Sequence, residues 1–196
     1  MQTQLNAVLT RLQERESLQL LTPTKAWDPA LEAQIEAIRR AATRPDTMQI
    51  ALIAGLHLRN DNLDVSHSYA QQIEHDATGA YWHGIMHRME GDYWNAKYWF
   101  RQAGRHPVME IAKQQIAEWL KAHIDETTLP HSHAGEVLQT FRDASAWNPS
   151  SFVDLVDWQQ SGQAGSSEQT RTILEHLQQM EMNALFDYTA AKAALK

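Results

Sequence analysis

The sequence predicts an all-α protein, and three observations carry that expectation. Eight Gly and six Pro in 196 residues are few for a loop-rich β protein. Apolar residues recur at helical spacing along most of the chain, and no segment alternates with a period of two for long enough to make a strand. The dipeptides Asp28-Pro29 and Asn148-Pro149 read as helix starts, a side-chain cap followed by Pro in the first turn.

The elements follow in order. Gln2 to Ser17 carries Leu5, Val8, Leu9 and Leu12 on one face. The helix after Asp28-Pro29 has the stripe Leu31, Ile35, Ile38 and Ala42, with Arg39, Arg40 and Arg44 near its C-terminal end, where cations suit the dipole. Met48 to Arg59 is apolar on several sides, Asn60-Asp61-Asn62 breaks it, and Asp64 to Glu74 is the next helix. Gly79 to Glu90 and Asp92 to Ala103 form a pair broken at Gly91 and stopped by Gly104. Pro107 opens a helix with Val108, Ile111, Ile116, Trp119 and Leu120. His123 to Ser132 reads as loop, and His133 to Phe141 as a short helix. Phe152, Leu155 and Val156 follow Asn148-Pro149. Residues 161–167 look like a flexible linker, and Ser166 with Gln169 resembles a capping box for a long last helix.

The length suits one helical domain, 1–196. A net charge of −7 argues against a nucleic-acid footprint. With no Cys there is no disulfide framework or thiolate chemistry. The apolar run Ile50 to Leu58, interrupted by Gly55 and His57, is too short for a membrane span, and the first residues lack a signal-peptide pattern, so the expected setting is cytoplasmic, away from membranes.

Residues 46–107 contain two related units. The segments from Ile53 and from Trp82 align without gaps, so that Gly55 meets Gly84, Arg59 meets Arg88 and Tyr69 meets Tyr98. Gly84, Gly91-Asp92-Tyr93, Ala96, Phe100, Ala103 and Pro107 of the second unit resemble a tetratricopeptide repeat. The resemblance implies a stack of antiparallel helical hairpins, right-handed or an irregular bundle, in which Gly84 and Ala96 allow close approach and Phe100 fills the groove. His83 and His87 stand where such a repeat has aromatic or Leu residues, and His67 stands opposite Ala96. The run Tyr81, Trp82, His83, Ile85, His87, Arg88, Glu90, Asp92, then Asn95, Lys97, Tyr98, Trp99, Phe100, Arg101, then Gly104, His106, Pro107 is similar to the motif of a bacterial and fungal helical family. That resemblance implies a grouping and brings no activity with it.

The chemistry-bearing residues gather in the same stretch. His83 and His87 are four apart, hence one turn apart on one helix face, the spacing of a paired-imidazole metal site. His67, on the second helix of the preceding unit, is placed to face them, and Glu90 or Asp92 could add a carboxylate. Three imidazoles and a carboxylate suit zinc or iron(II). Gly84 stands where a zinc protease needs its general base, which excludes that class. The structural alternative is hydrogen-bonded His inside a polar helix interface. Arg88, Glu90, Asp92 and Asn95 read either as turn and cap residues or as a polar cup in which Arg88 holds an anion. Lys97, Arg101 and Arg105 form a basic stripe, either a solvated helix face or an anion contact, and His106 joins the candidate ligand residues. His131 and His133 are weaker metal candidates in a loop-like stretch.

Two function classes follow. The first is a soluble binding or scaffold module that takes a small molecule or peptide in a His- and Trp-rich groove. The second is a metal-assisted enzyme built on His67, His83 and His87, with Glu90 for acid–base work. The last helix, Ser167 to Ala194, has a stripe broad enough for core or for a homodimer interface.

Overall fold

The computed structural model describes residues 2–124, 133–143, 146–163 and 166–193. Among them there are ten α-helices and no strand. They are α1 (Gln2–Gln13), α2 (Ala30–Ala41), α3 (Thr47–Arg59), α4 (Leu63–Ala70), α5 (Ala77–Glu90), α6 (Tyr93–Ala103), α7 (Val108–His123), α8 (His133–Asp143), α9 (Pro149–Gln160) and α10 (Glu168–Lys192). None is long and apolar enough to cross a membrane.

Helices pack on their chain neighbours from α1 through α6, while α10 lies across α3, α5 and α7. Ile173, Leu174, Leu177, Met182, Leu185 and Phe186 of α10 are all buried in the core. The apolar stripe of the last helix is therefore largely packed inside the chain. This helix starts from Ser167, whose Oγ accepts from Thr170 N at 3.1 Å, one residue later than the expected Ser166–Gln169 box.

Two helix ends also differ from expectation. α1 stops at Gln13 rather than Ser17, because the following segment is drawn down onto α3: Gln19 donates to Leu58 O at 2.7 Å, and Arg15 pairs with Asp61 at 2.7 Å. α4 stops at Ala70 and continues as a 3-10 turn, Gln71–Ile73. Gly79 lets α5 start against that turn, since a Cβ there would run into the Ile73 carbonyl. This close junction sets α4 against α5, and so sets the site.

The pairs α3–α4 and α5–α6 correspond, but at thirty residues rather than at the offset that matches Gly55 with Gly84. Asp46 caps α3 and Asp76 caps α5. Asp61 and Gly91 are the left-handed turn residues, with φ of 61° and 88°. Asn62 and Asp92 cap α4 and α6 by accepting from the backbone three residues on. Ser66 and Ala70 are buried as Ala96 and Phe100 are, and the exposure pattern of 62–70 repeats residue for residue in 92–100. The two glycines do different work. A Cβ on Gly84 would meet the Phe100 ring at 2.9 Å, inside its own pair, whereas one on Gly55 would meet Trp82 of the next pair at 2.7 Å. The identities that favoured the shorter offset are not structural equivalents.

Candidate metal centre

His67 projects from α4, and His83 and His87 from α5. Each offers a ring nitrogen, and the three nitrogens lie within 4.8 Å of one another. The centroid of the His67 ring is 4.7 Å from that of His83 and 5.1 Å from that of His87. His83 and His87 stack at 4.8 Å, as one helical turn dictates. Trp99 of α6 covers the cluster, its ring stacked on His83 at 4.0 Å. His83 and His87 are 1% and 7% exposed, and His67 is half-buried.

The hydrogen bonding is uneven. His87 Nδ1 lies 3.1 Å from Glu90 Oε2. An ionised carboxylate only accepts, so Nδ1 carries the proton and Nε2 keeps its lone pair. Among the described residues, neither ring nitrogen of His83 has a hydrogen-bond partner, although both are buried. Unpaired buried polar atoms are costly and call for an explanation. Burial, with the charges of His87 and His67 acting in the same direction, lowers the His83 pKa to about 3. Burial also lowers that of His87, against the opposing pull of Glu90. Both rings are thus held neutral, the form in which imidazole binds a metal. Three nitrogens around a tetrahedral ion sit ~3.4 Å apart, so the rings need to close by up to about 1.4 Å.

The other expected site residues lie elsewhere. Glu90 is exposed and orients His87, which makes it a positioning group rather than a free base. Asp92 is the α6 cap, accepting from Asn95 N at 3.1 Å. Arg88 does not hold the turn carboxylates or an open cup. It is fully buried on another side of α5, where Nη1 meets Glu181 Oε2 at 2.7 Å and Nε donates to Gln178 Oε1. Tyr81 and Trp147 each donate to Glu181 Oε1 at 2.7 Å, and the guanidinium lies 4.5 Å from the centre of the Phe152 ring. Glu181 and Gln178 were readable as polar residues inside the apolar stripe of α10, between Leu177 and Leu185.

Lys97 pairs with Asp154 of α9, so the basic stripe is partly neutralised. Arg101 and Arg105 are exposed and line a separate cleft with Trp147 and Pro149. His106 is buried. Its Nδ1 accepts from Val108 N at 3.3 Å, which leaves Nε2 to donate to Thr78 Oγ1 at 3.2 Å, so both nitrogens are engaged and neither can serve a ligand. Burial lowers its pKa to about 4. His131 and the side chain of His133 lie outside the described residues.

Compared with known families, with curated proteins and with solved structures, the chain returns no match. The family and repeat resemblances therefore rest on their motif residues alone.

Proposed function

We propose that the protein is a metal-binding protein whose centre is His67, His83 and His87, taking zinc or iron(II). One observation carries this reading: three imidazoles converge within 4.8 Å, and the most buried of them, His83, has no hydrogen-bond partner on either nitrogen among the described residues. A metal ion would supply the missing partner. Glu90 on His87 supports it further, since metal-ligating imidazoles commonly donate their other N–H to a carboxylate. Three imidazole ligands leave an open coordination position, at which a zinc-bound water becomes acidic near neutral pH. In this reading the chain is a metal-assisted enzyme of Lewis-acid type, carried on tetratricopeptide-like hairpins α3–α4 and α5–α6.

A second reading, a metal-free binding module for a small molecule or peptide, draws on Trp94 and Tyr98. These are 73% and 38% exposed, stack at 6.3 Å, and adjoin Trp99 at the lip of the cluster.

Metal analysis of untagged protein purified with and without oxygen separates the two. The metal reading expects one zinc or iron per chain, lost in His83→Ala and in His87→Ala and retained in His57→Ala, with helical circular dichroism unchanged. Metal-free wild-type protein that also fails to bind added zinc, iron(II) or cobalt(II) would sink it.

A further inference from the structure

Arg59 is the last residue of α3, and its guanidinium lies 4.6 Å from the centre of the Phe186 ring on α10. Among the described residues it has no hydrogen bond and no carboxylate within ion-pairing distance. Burial pushes its pKa down and the charge of Asp187 opposes that, but a guanidinium stays cationic at any ordinary pH. Stacking on a ring face leaves the planar N–H fork free along its edge. Arg88, on the next unit, has the same chemistry with Glu181 supplied. Arg59 has the cation without the carboxylate.

What Arg59 faces is a cleft of about 460 Å³ between α1, the segment after it, α3 and α10. On α10, Gln179, Asn183 and Asp187 recur every four residues and form one wall. Neither carboxamide has a hydrogen-bond partner among the described residues. Arg15 is on the opposite side. Its Nη1 lies 2.7 Å from Asp61 Oδ2, while its buried Nε has no hydrogen-bond partner among the described residues.

We propose that this cleft binds a small carboxylate, gripped by the free fork of Arg59 and by the carboxamides of Gln179 and Asn183. A planar carboxylate matches a planar fork bidentately. A phosphate dianion fits worse, because only one guanidinium lacks an ion pair among the described residues and Asp187 on the rim repels added negative charge. Asp187 also suits a ligand that carries an ammonium group beside its carboxylate, so a plain carboxylic acid and an amino acid share the required chemistry. The cleft has no residue in common with the His67–His83–His87 cluster, so the two sites can be tested independently.

The test is calorimetric titration of the full chain with succinate, glutamate and inorganic phosphate. Saturable binding of succinate or glutamate in the millimolar range or tighter is expected, weakened about tenfold or more by Arg59→Gln, the effect of losing a charge-assisted hydrogen bond. Asn183→Asp, which keeps the shape and adds a repelling charge, should weaken it as well, and Arg101→Gln should leave it unchanged. Circular dichroism confirms that each variant is folded. Tighter binding of glutamate assigns the amino-acid form, and tighter binding of succinate the plain carboxylate. No saturable binding of either, phosphate binding as tightly, or wild-type affinity in both Arg59→Gln and Asn183→Asp overturns the proposal.

Discussion

The two helix pairs present the same slots and fill them differently. In α3–α4 the inward imidazole is His57, thirty residues before His87. Its Nε2 lies 3.5 Å from Glu36 of α2, and its ring stacks on Tyr69, whose hydroxyl donates to the same carboxylate at 2.5 Å. In α5–α6 the slot beside His87 holds His83 and His67, with Trp99 at the position that corresponds to Tyr69. The first pair surrounds its imidazole with an acid and a phenol drawn from neighbouring helices. The second gathers three bases and gives His83 no hydrogen-bonding acid among the described residues. Neither His57 nor His83 makes a ring hydrogen bond among the described residues, so what sets the second arrangement apart is the convergence of three imidazoles, a donor set that could hold a metal ion.

The largest expected effect contrasts the arginines. Arg88→Met strands Glu181 in the core and should cost about 3–5 kcal/mol by urea unfolding. Adding Glu181→Gln should recover most of it, because the neutral amide oxygen still accepts from Tyr81 and Trp147. Arg59→Met should cost ~1 kcal/mol or less, since it loses one ring contact and no ion pair. Equal costs at the two arginines would erase the distinction between them.

The glycines sharpen the thirty-residue correspondence. Gly84→Ala and Gly55→Ala each overpack an aromatic ring and should destabilise by about 1–3 kcal/mol. Phe100→Leu should relieve the first and leave the second untouched, and the reverse outcome would restore the shorter offset. Caps come next. Asp92→Ala should cost ~1 kcal/mol in thermal unfolding, and Asn62→Ala a little less, because its bond is longer at 3.4 Å against 3.1 Å.

The mildest test is a pH slope. His106 titrates near 4 when folded, against an ordinary value of 6.5. Between those values the unfolded chain takes up a proton that the folded chain refuses, so stability is full above pH 6.5 and falls as the pH drops toward 4. His106→Gln should flatten that slope in acid-unfolding curves, and an unchanged slope would assign it to the other depressed imidazoles.

Much of this was legible in the chain. Helix starts at Asp28-Pro29 and Asn148-Pro149, the break at Gly91 and the i, i+4 spacing of His83 and His87 are local features, and local geometry follows from them. The meeting of His67 with that pair was also readable, because a second helix that packs on the next first helix must present one face to it. What was not legible lay in non-local partners. Arg88 read as part of the turn cluster or as the anion holder of a polar cup, yet rotation around α5 points it at α10, more than ninety residues on in sequence. His106 looked free because its partners, Thr78 Oγ1 and a backbone N–H, leave no pattern in sequence. The repeat offset misled because shared Gly, Arg and Tyr identities outweighed the caps and the left-handed turn residues, which are what hold the register.

The sequence by itself determined the helical class, the order of the helices and the placing of two imidazoles one turn apart, because a period of 3.6 residues converts spacing directly into a face. Only the tertiary structure decided which face met which helix. It gave Arg88 its carboxylate, left Arg59 without one, and set His67 against His83. The reason is that desolvation and packing act on neighbours in space, and the long α10 that supplies those neighbours joins the fold from the far end of the chain.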